Sequence, residues 1–249
     1  MVGRLDGLNV AVTGASSGIG RAIALRSASE GANVTAMGRS ADSLASLTAE
    51  LGAGHRVVQG DIRSRKDLET FFAVASTMGT IGALVANAGV STSTPFDSIT
   101  DDEFDSVIDT NVKGTFQTVQ AALPFLANPS SVVLVSSALG HLGLPGLVTY
   151  GASKAAIRSM ARTMSAELVG RGVRVNVLSP GPTETPIFER MGLPPELVGP
   201  PDSPLLADVP IGRFADVDEI AAAALFLMSS ESAYMLGSEL VIDGGHSQL

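Results

Sequence analysis

The chain contains no cysteine, which excludes disulfides and every cysteine-ligated metal site. Histidine is scarce too: His55, His141 and His246 are widely spread and offer no metal-ligand spacing, so no zinc site is expected. Only 16% of the 249 residues are charged, and the balance is acidic. A net charge of -9 repels phosphate backbones, and no basic stripe offers itself to nucleic acid. Apolar runs are short. The longest, about Ala221 to Met228, falls far below the ~20 residues of a membrane span. Met1 to Val10 carries Arg4 and Asp6 and has no apolar signal core. These absences leave a soluble, cytoplasmic protein as the expectation, and a 45% hydrophobic content supplies a sizeable core.

What is present is an alternation. Short β-like runs at Leu8–Thr13, Asn33–Met37, Arg56–Gln59, Ile81–Ala86, Ser131–Ser136, Val173–Leu178 and Glu239–Ile242 are separated by longer stretches. Among those stretches, Gly20–Glu30, Ala41–Leu51, Lys66–Met78 and Asp101–Leu126 are each long enough for several helical turns. Runs such as Val132-Val133-Leu134-Val135 are apolar throughout, as befits strands covered on both faces. The pattern predicts an α/β fold: a single Rossmann-type domain over 1–249, with a doubly wound parallel sheet of about seven strands and helices on both faces. No internal repeat and no Gly/Ser linker divides it. The acidic clusters Asp101-Asp102-Glu103 and Asp216-Asp218-Glu219 read as first turns of helices, where negative charge is favoured.

One segment breaks the rhythm. Prolines 180, 182, 186, 194, 195, 200, 201, 204 and 210 crowd a stretch that follows the sixth strand. Proline fixes φ and removes an amide donor, so this stretch does not extend the sheet. An insertion at the carboxyl edge of an α/β sheet suggests a substrate loop, here at about 183–210. Its apolar residues Ile187, Phe188, Met191, Leu193 and Leu197 need something to cover, and Ile187, Phe188 and Met191 are candidate substrate-lining residues.

Thr13-Gly14-Ala15-Ser16-Ser17-Gly18-Ile19-Gly20 links the first strand to the first helix. Gly14 permits a tight turn, Gly18 lets amides approach a pyrophosphate, and Gly20 lets the helix pack close to the strand. The helix N-terminus then aims free N–H groups and the positive end of its dipole at the phosphates. The spacing is G-x-x-x-G-x-G rather than G-x-G-x-x-G.

With that turn the chain resembles, end to end, the short-chain dehydrogenase/reductase family of about 250 residues. Thr13–Gly20 is similar to the family's T-G-x-x-x-G-x-G, and Asn87-Ala88-Gly89 to its N-A-G element. Asp61 falls where the family contacts adenine, and Asn176–Thr185 resembles N-x-x-x-P-G-x-x-x-T, with Thr183 standing where an aliphatic residue is usual. The resemblance implies nicotinamide dinucleotide contacts from Gly14, Ser16, Ser17, Gly18, Ile19, Gly20, Asp61, Ile62, Asn87, Ala88, Gly89, Tyr150, Lys154, Pro180, Gly181, Thr183 and Thr185. The second strand ends Met37-Gly38-Arg39, with no Asp or Glu to grip a ribose 2′-hydroxyl. Arg39 can instead hold a 2′-phosphate, helped by the Ser40 hydroxyl, so NADP(H) is expected over NAD(H).

Tyr150 and Lys154 stand at i and i+4, neighbours on one helix face. With two tyrosines and three lysines in the chain, Tyr-x-x-x-Lys arises by chance roughly 2% of the time. A nearby ammonium and an oxidised nicotinamide are expected to lower the phenol's pKa from its usual ~10. Ser137 lies thirteen residues earlier, the family's spacing for its catalytic serine, with Ser136 as the decoy. Asn111, in Asn111-Val112-Lys113-Gly114, is the family's fourth member, implied to kink its helix and hold a relay water. The expected catalytic set is therefore Asn111, Ser137, Tyr150 and Lys154, with His141 a further candidate for the substrate pocket and no metal.

The implied reaction moves hydride between nicotinamide and a small ketone or secondary alcohol, as in a carbonyl reductase or alcohol dehydrogenase. The resemblance further implies B-face transfer and a homotetramer built on Asp101–Leu126 and Tyr150–Val169. A 3-oxoacyl-[acyl-carrier-protein] reductase shares the set but must dock an acidic carrier, and Leu123–Ser131 has no basic residue to meet one. A sugar-nucleotide epimerase is longer with another glycine spacing, and a cofactor-sensing binding protein has no need of an intact set.

Overall fold

The computed structural model describes residues 3–193, 196, 200 and 202–249. Pro194, Pro195, Leu197 and Pro201 of the proline-rich segment lie outside the described residues. Seven strands, β1 Asn9–Thr13, β2 Asn33–Gly38, β3 Arg56–Gln59, β4 Ile81–Ala86, β5 Leu126–Val135, β6 Val173–Pro180 and β7 Glu239–Ile242, form one parallel sheet. Their order is β3-β2-β1-β4-β5-β6-β7. The order reverses between β1 and β4, which opens a crevice beyond their carboxyl ends.

Side-chain alternation along the strands divides the core in two. Val10, Val12, Ala83, Val85, Val133 and Val135 face a layer holding Ile23, Leu47 and Ile220. Ala11, Leu84, Ala86, Val132, Leu134 and Val177 face a layer with Phe71, Phe72 and Ile157. The first layer belongs to α1 Gly18–Ser29, α2 Ala41–Leu51 and α8 Val217–Met228; the second to α3 Arg65–Ser76, α5 Thr115–Ala122 and α6 Val148–Leu168. Strands buried on both faces need this continuous apolar character.

Helix starts are specified locally. Ser40, Ser64 and Thr100 accept hydrogen bonds from backbone amides at the starts of α2, α3 and α4 Asp101–Ile108, and Asp216 with Glu219 forms a capping box on α8. Ser40 is thus engaged in capping, and its Oγ also lies 3.0 Å from Ser43 Oγ.

The largest departure from expectation lies between Asp101 and Ser131. The single helix expected over Asp101–Leu126 is α4, then a π-helical stretch Asp109–Gly114, then α5, which ends at Ala122. Pro124 cannot continue a helix, and Leu126 already pairs with Ile81 at the start of β5. Among the described residues no helix is long and apolar enough to cross a membrane, and no group of three or more His, Asp or Glu is placed to hold a metal.

Candidate active site

The crevice is held open by side chains that lock the two strand ends together. Asn87 Nδ2 donates to the carbonyls of Thr13 and Gly14, both at 3.2 Å, and Thr13 Oγ1 accepts from Asn87 N at 3.2 Å. Gly14 has φ +69, and a Cβ there would lie 2.6 Å from Ala88 Cα, so no other residue fits this crossing. Gly20 packs beneath the turn against Asn87 Nδ2 and Gly14 O.

A groove of about 140 Å³ runs over this junction. Of the expected cofactor residues, Gly14, Ser16, Ser17, Gly18, Ile19, Arg39, Asp61, Ile62, Asn87, Ala88, Gly89 and Thr185 line it. Gly20 does not. Tyr150, Lys154, Pro180, Gly181 and Thr183 line instead an adjoining cavity of about 430 Å³. Ile19, Asn87, Gly89, Thr185 and Ile187 border both spaces, so groove and cavity meet at one seam.

The groove suits a phosphorylated dinucleotide by its donors. Ser17 precedes α1, but its side chain does not cap the helix, leaving the first amides to a ligand. Arg39 is exposed on the groove wall, with no hydrogen bond or ion pair of its guanidinium among the described residues. Asp61 is the groove's carboxylate, and Arg63 neutralises it through contacts of 2.7 and 3.0 Å. The Arg63 hydrogen bonds outweigh partial burial and hold Asp61 below the usual carboxylate range. Gly38 stands where an NAD-binding carboxylate would be sought, and a Cβ there would meet Ser16 Cβ at 2.9 Å.

On the wall of the cavity stand Ser137, Tyr150 and Lys154. Ser137 follows β5, and its Oγ accepts from Leu139 N at 3.2 Å. Ser136, the decoy, turns away: its Oγ donates to Lys154 O at 2.8 Å. Tyr150 and Lys154 lie one turn apart on α6, with Nζ 5.4 Å from the ring centroid and donating to Val135 O at 3.0 Å. Burial pushes the Tyr150 phenol up to about 12, although the Ser137 hydroxyl opposes it, and burial pushes Lys154 down to about 8. The expected lowering of the phenol is therefore reversed. Desolvation acts on both groups and disfavours the charged form of each.

Asn111 is fully buried in the π-helical stretch. Its Oδ1 accepts from Val90 N at 2.8 Å, and Nδ2 donates to Val90 O and Ser153 Oγ, each at 2.9 Å. Ser153 Oγ in turn donates to Tyr150 O at 2.7 Å. Asn111 thus ties the loop after β4 to the turn of α6 that carries the tyrosine. The widened backbone is a common device at functional sites.

The cavity wall is mainly apolar, with Leu139, Leu144, Leu147, Ile187, Phe188, Met191, Leu193 and Leu205. Thr183 is buried, and its hydroxyl donates to Gly181 O at 3.0 Å. His141 does not line the cavity. Its Nε2 sits 2.9 Å from Glu239 Oε1, in a knot where Glu239 also receives Arg158 at 2.7 Å and Ser179 at 2.6 Å. Burial raises the Glu239 carboxyl, but the Ser179, Arg158 and His141 hydrogen bonds outweigh it and keep it below the usual range.

Sequence reasoning missed His246, Asp208 and Ser91 on the cavity wall, and Arg190 on the groove wall. None carries a motif spacing, and Arg190 meets Ser17 across 173 residues of sequence.

A family model described as enoyl-(acyl carrier protein) reductase matches residues 14–247. Oxidoreductase asL5 of Sarocladium schorii is 40% identical, covering 99% of this chain and 98% of that protein. The 3-oxoacyl-[acyl-carrier-protein] reductase FabG of Thermotoga maritima is 38% identical over 97% of this chain and 98% of its own length. The crystal structure of a short-chain type dehydrogenase/reductase from Mycobacterium marinum superposes with a TM-score of 0.90 at 30% identity, covering 98% of this chain and 97% of that one.

Proposed function

The chain belongs to the short-chain dehydrogenase/reductase family of nicotinamide-dependent oxidoreductases, and we propose that it interconverts a small, mainly apolar ketone and its secondary alcohol using NADP(H). The observation that carries this reading is the cluster of Ser137, Tyr150 and Lys154 on the wall of the cavity that adjoins the groove, with Lys154 Nζ 5.4 Å from the Tyr150 ring.

When bound, the nicotinamide gives hydride to a carbonyl carbon or takes it from the alcohol. The residues of the chain handle the oxygen and its proton. Ser137 Oγ donates a hydrogen bond to the substrate oxygen and stabilises the charge that develops there. Tyr150, neutral at physiological pH, carries the proton that reduction delivers to that oxygen. Lys154 presents positive charge beside the phenol and favours the phenolate left behind. Asn111 positions Tyr150 through Ser153 and, by the family's pattern, holds a relay water. The apolar wall excludes bulk water, which strengthens each of these interactions.

The NADP(H) preference rests on the unpaired Arg39 and on the crowding at Gly38, where a carboxylate side chain has no room unless Ser16 moves. A panel of ketones and secondary alcohols, followed by the absorbance of reduced nicotinamide with both cofactors, tests the activity. The expected result is a higher kcat/KM with NADP(H), which Arg39→Leu lowers about tenfold or more while sparing NAD(H). Equal efficiency with both cofactors in the wild type would sink the preference.

The Thermotoga maritima relative favours a second reading, reduction of a 3-oxoacyl group on a carrier protein. Against it, the cavity wall includes Asp208 and no cation other than Lys154 among the described residues. Turnover of a carrier-bound 3-oxoacyl thioester far above that of a short free thioester would establish it. The first reading also makes the protein a cytoplasmic homotetramer, in which α4, α5 and α6 bury the exposed Phe104, Phe116 and Val148. Light scattering checks the assembly.

A further inference from the structure

We propose that Arg190 is a phosphate-binding residue of the dinucleotide groove, brought in by the substrate loop, and that through it the bound cofactor fixes the wall of the substrate cavity. The proposal rests on the reading of the groove as a dinucleotide site.

Arg190 ends the short helix α7 Ile187–Arg190. Its Nη2 donates to Ser17 Oγ at 3.0 Å, and its side chain lines the groove opposite the glycine turn. Arg4, Arg21, Arg26, Arg63, Arg158 and Arg213 each pair with a carboxylate. Arg190 and Arg39 pair with none among the described residues, and both face the groove. Two guanidinium groups with no ion pair among the described residues, beside the free amides of α1, offer an anion its donors. Ser17 itself brings no charge to the turn; Arg190 brings it from the other side of the groove.

The same four-residue helix faces two ways. Ile187 lines both groove and cavity, and Phe188 lines the cavity. Phe188 rests edge-on against Phe214, with centroids 5.7 Å apart, beside buried Leu206 and Val209. The base of the loop is pinned where Ala215 N donates to Pro182 O and Glu184 N donates to Ala215 O. One turn of helix moves as a unit, so a phosphate that holds Arg190 also fixes where Ile187 and Phe188 stand. Cofactor binding then precedes and improves substrate binding.

Calorimetric titration of the full chain with NADP⁺ and NAD⁺, for wild type, Arg190→Gln and Arg190→Lys, tests the first half. Arg190→Gln is expected to weaken NADP⁺ about tenfold, and Arg190→Lys to recover part of that loss as a point charge. A loss confined to NADP⁺ identifies the 2′-phosphate as the partner, and an equal loss for both identifies the pyrophosphate. Unchanged affinity for both overturns the proposal, and a wild type that binds neither overturns the functional reading instead. The melting temperature of ligand-free Arg190→Gln, expected to match wild type, separates a lost contact from a lost fold. For the second half, KM for the preferred ketone at saturating cofactor is expected to rise severalfold in Arg190→Gln with kcat little changed. An unchanged KM overturns the link between phosphate and cavity wall.

Discussion

Beneath the crevice, Asn87 reaches back to Thr13 and Gly14, Asn111 grips Val90 and Ser153, and Ser136 grips the α6 backbone. Above it, the described part of the loop from Thr183 to Pro210 packs around Leu206, Val209 and Phe214, with a bridge from Thr183 to Ala215 and a contact from Arg190 to Ser17. The lower region is a network in which side chains satisfy backbone groups at both ends, so each member fixes its neighbours. The described part of the upper one has a small core of its own. The contrast teaches that one region is fixed by side chains bonded to backbone, while the described part of the other is held mainly by apolar packing.

Breaking the lower region at its chemical centre gives the largest effect. Tyr150→Phe is expected to reduce turnover by about 10²–10⁴-fold with cofactor affinity nearly intact, because only the proton-carrying hydroxyl is removed. Activity within a few-fold of wild type, measured under saturating cofactor, would remove Tyr150 from that role.

The next largest effect tests whether that network is structural as well as chemical. Asn111→Ala leaves Val90 N without its side-chain acceptor in a buried setting. We expect a loss of about 2–3 kcal/mol in urea unfolding, together with lower activity. A variant as stable as wild type would mean that the loop after β4 holds itself in place.

In the upper region the balance reverses. Replacing Ile187, Phe188 and Met191 with alanine is expected to reorder the ranking of ketone substrates while shifting the melting temperature by only a few degrees. An unchanged ranking would mean that the floor alone selects the substrate.

The finest distinction comes from pH. Lys154 has its pKa lowered to about 8 on folding from an ordinary 10.5, so between these values the unfolded chain holds the extra proton. Stability from this group therefore rises with pH across that window and is penalised below it. Tyr150 acts oppositely: its folded value near 12 exceeds the ordinary 10, and stability falls from pH 10 toward 12. Lys154→Met should abolish activity yet raise stability at pH 7 by about 1–2 kcal/mol, since the desolvation of this buried ammonium outweighs its bond to Val135 O. Melting temperatures at pH 7 and pH 10 check both sign and slope.

Much of the fold was legible because its rules are local. Two-sided apolar runs announced parallel strands, and Arg56–Gln59, Ile81–Ala86 and Glu239–Ile242 coincide with β3, β4 and β7. The break in Asp101–Leu126 was less visible: Pro124 marks its end, but no residue type announces a π-helical turn. His141 looked close to the pocket because it follows Ser137 closely, yet a chain turning through Ala138–Gly140 points it at Glu239.

The sequence by itself determined the two-layer architecture, the glycine turn, the pairing of Tyr150 with Lys154 and the absence of a carboxylate after β2. These depend on periodicity, on backbone conformations open to few residues and on spacings of a few positions. Tertiary structure alone decided that burial raises the Tyr150 phenol, that Asn111 acts through Ser153 and that Glu239 gathers His141, Arg158 and Ser179. It also decided that Arg190 crosses to Ser17. Desolvation and long-range contact arise only after distant segments close around one another, and no local pattern in the chain encodes which neighbours they will find.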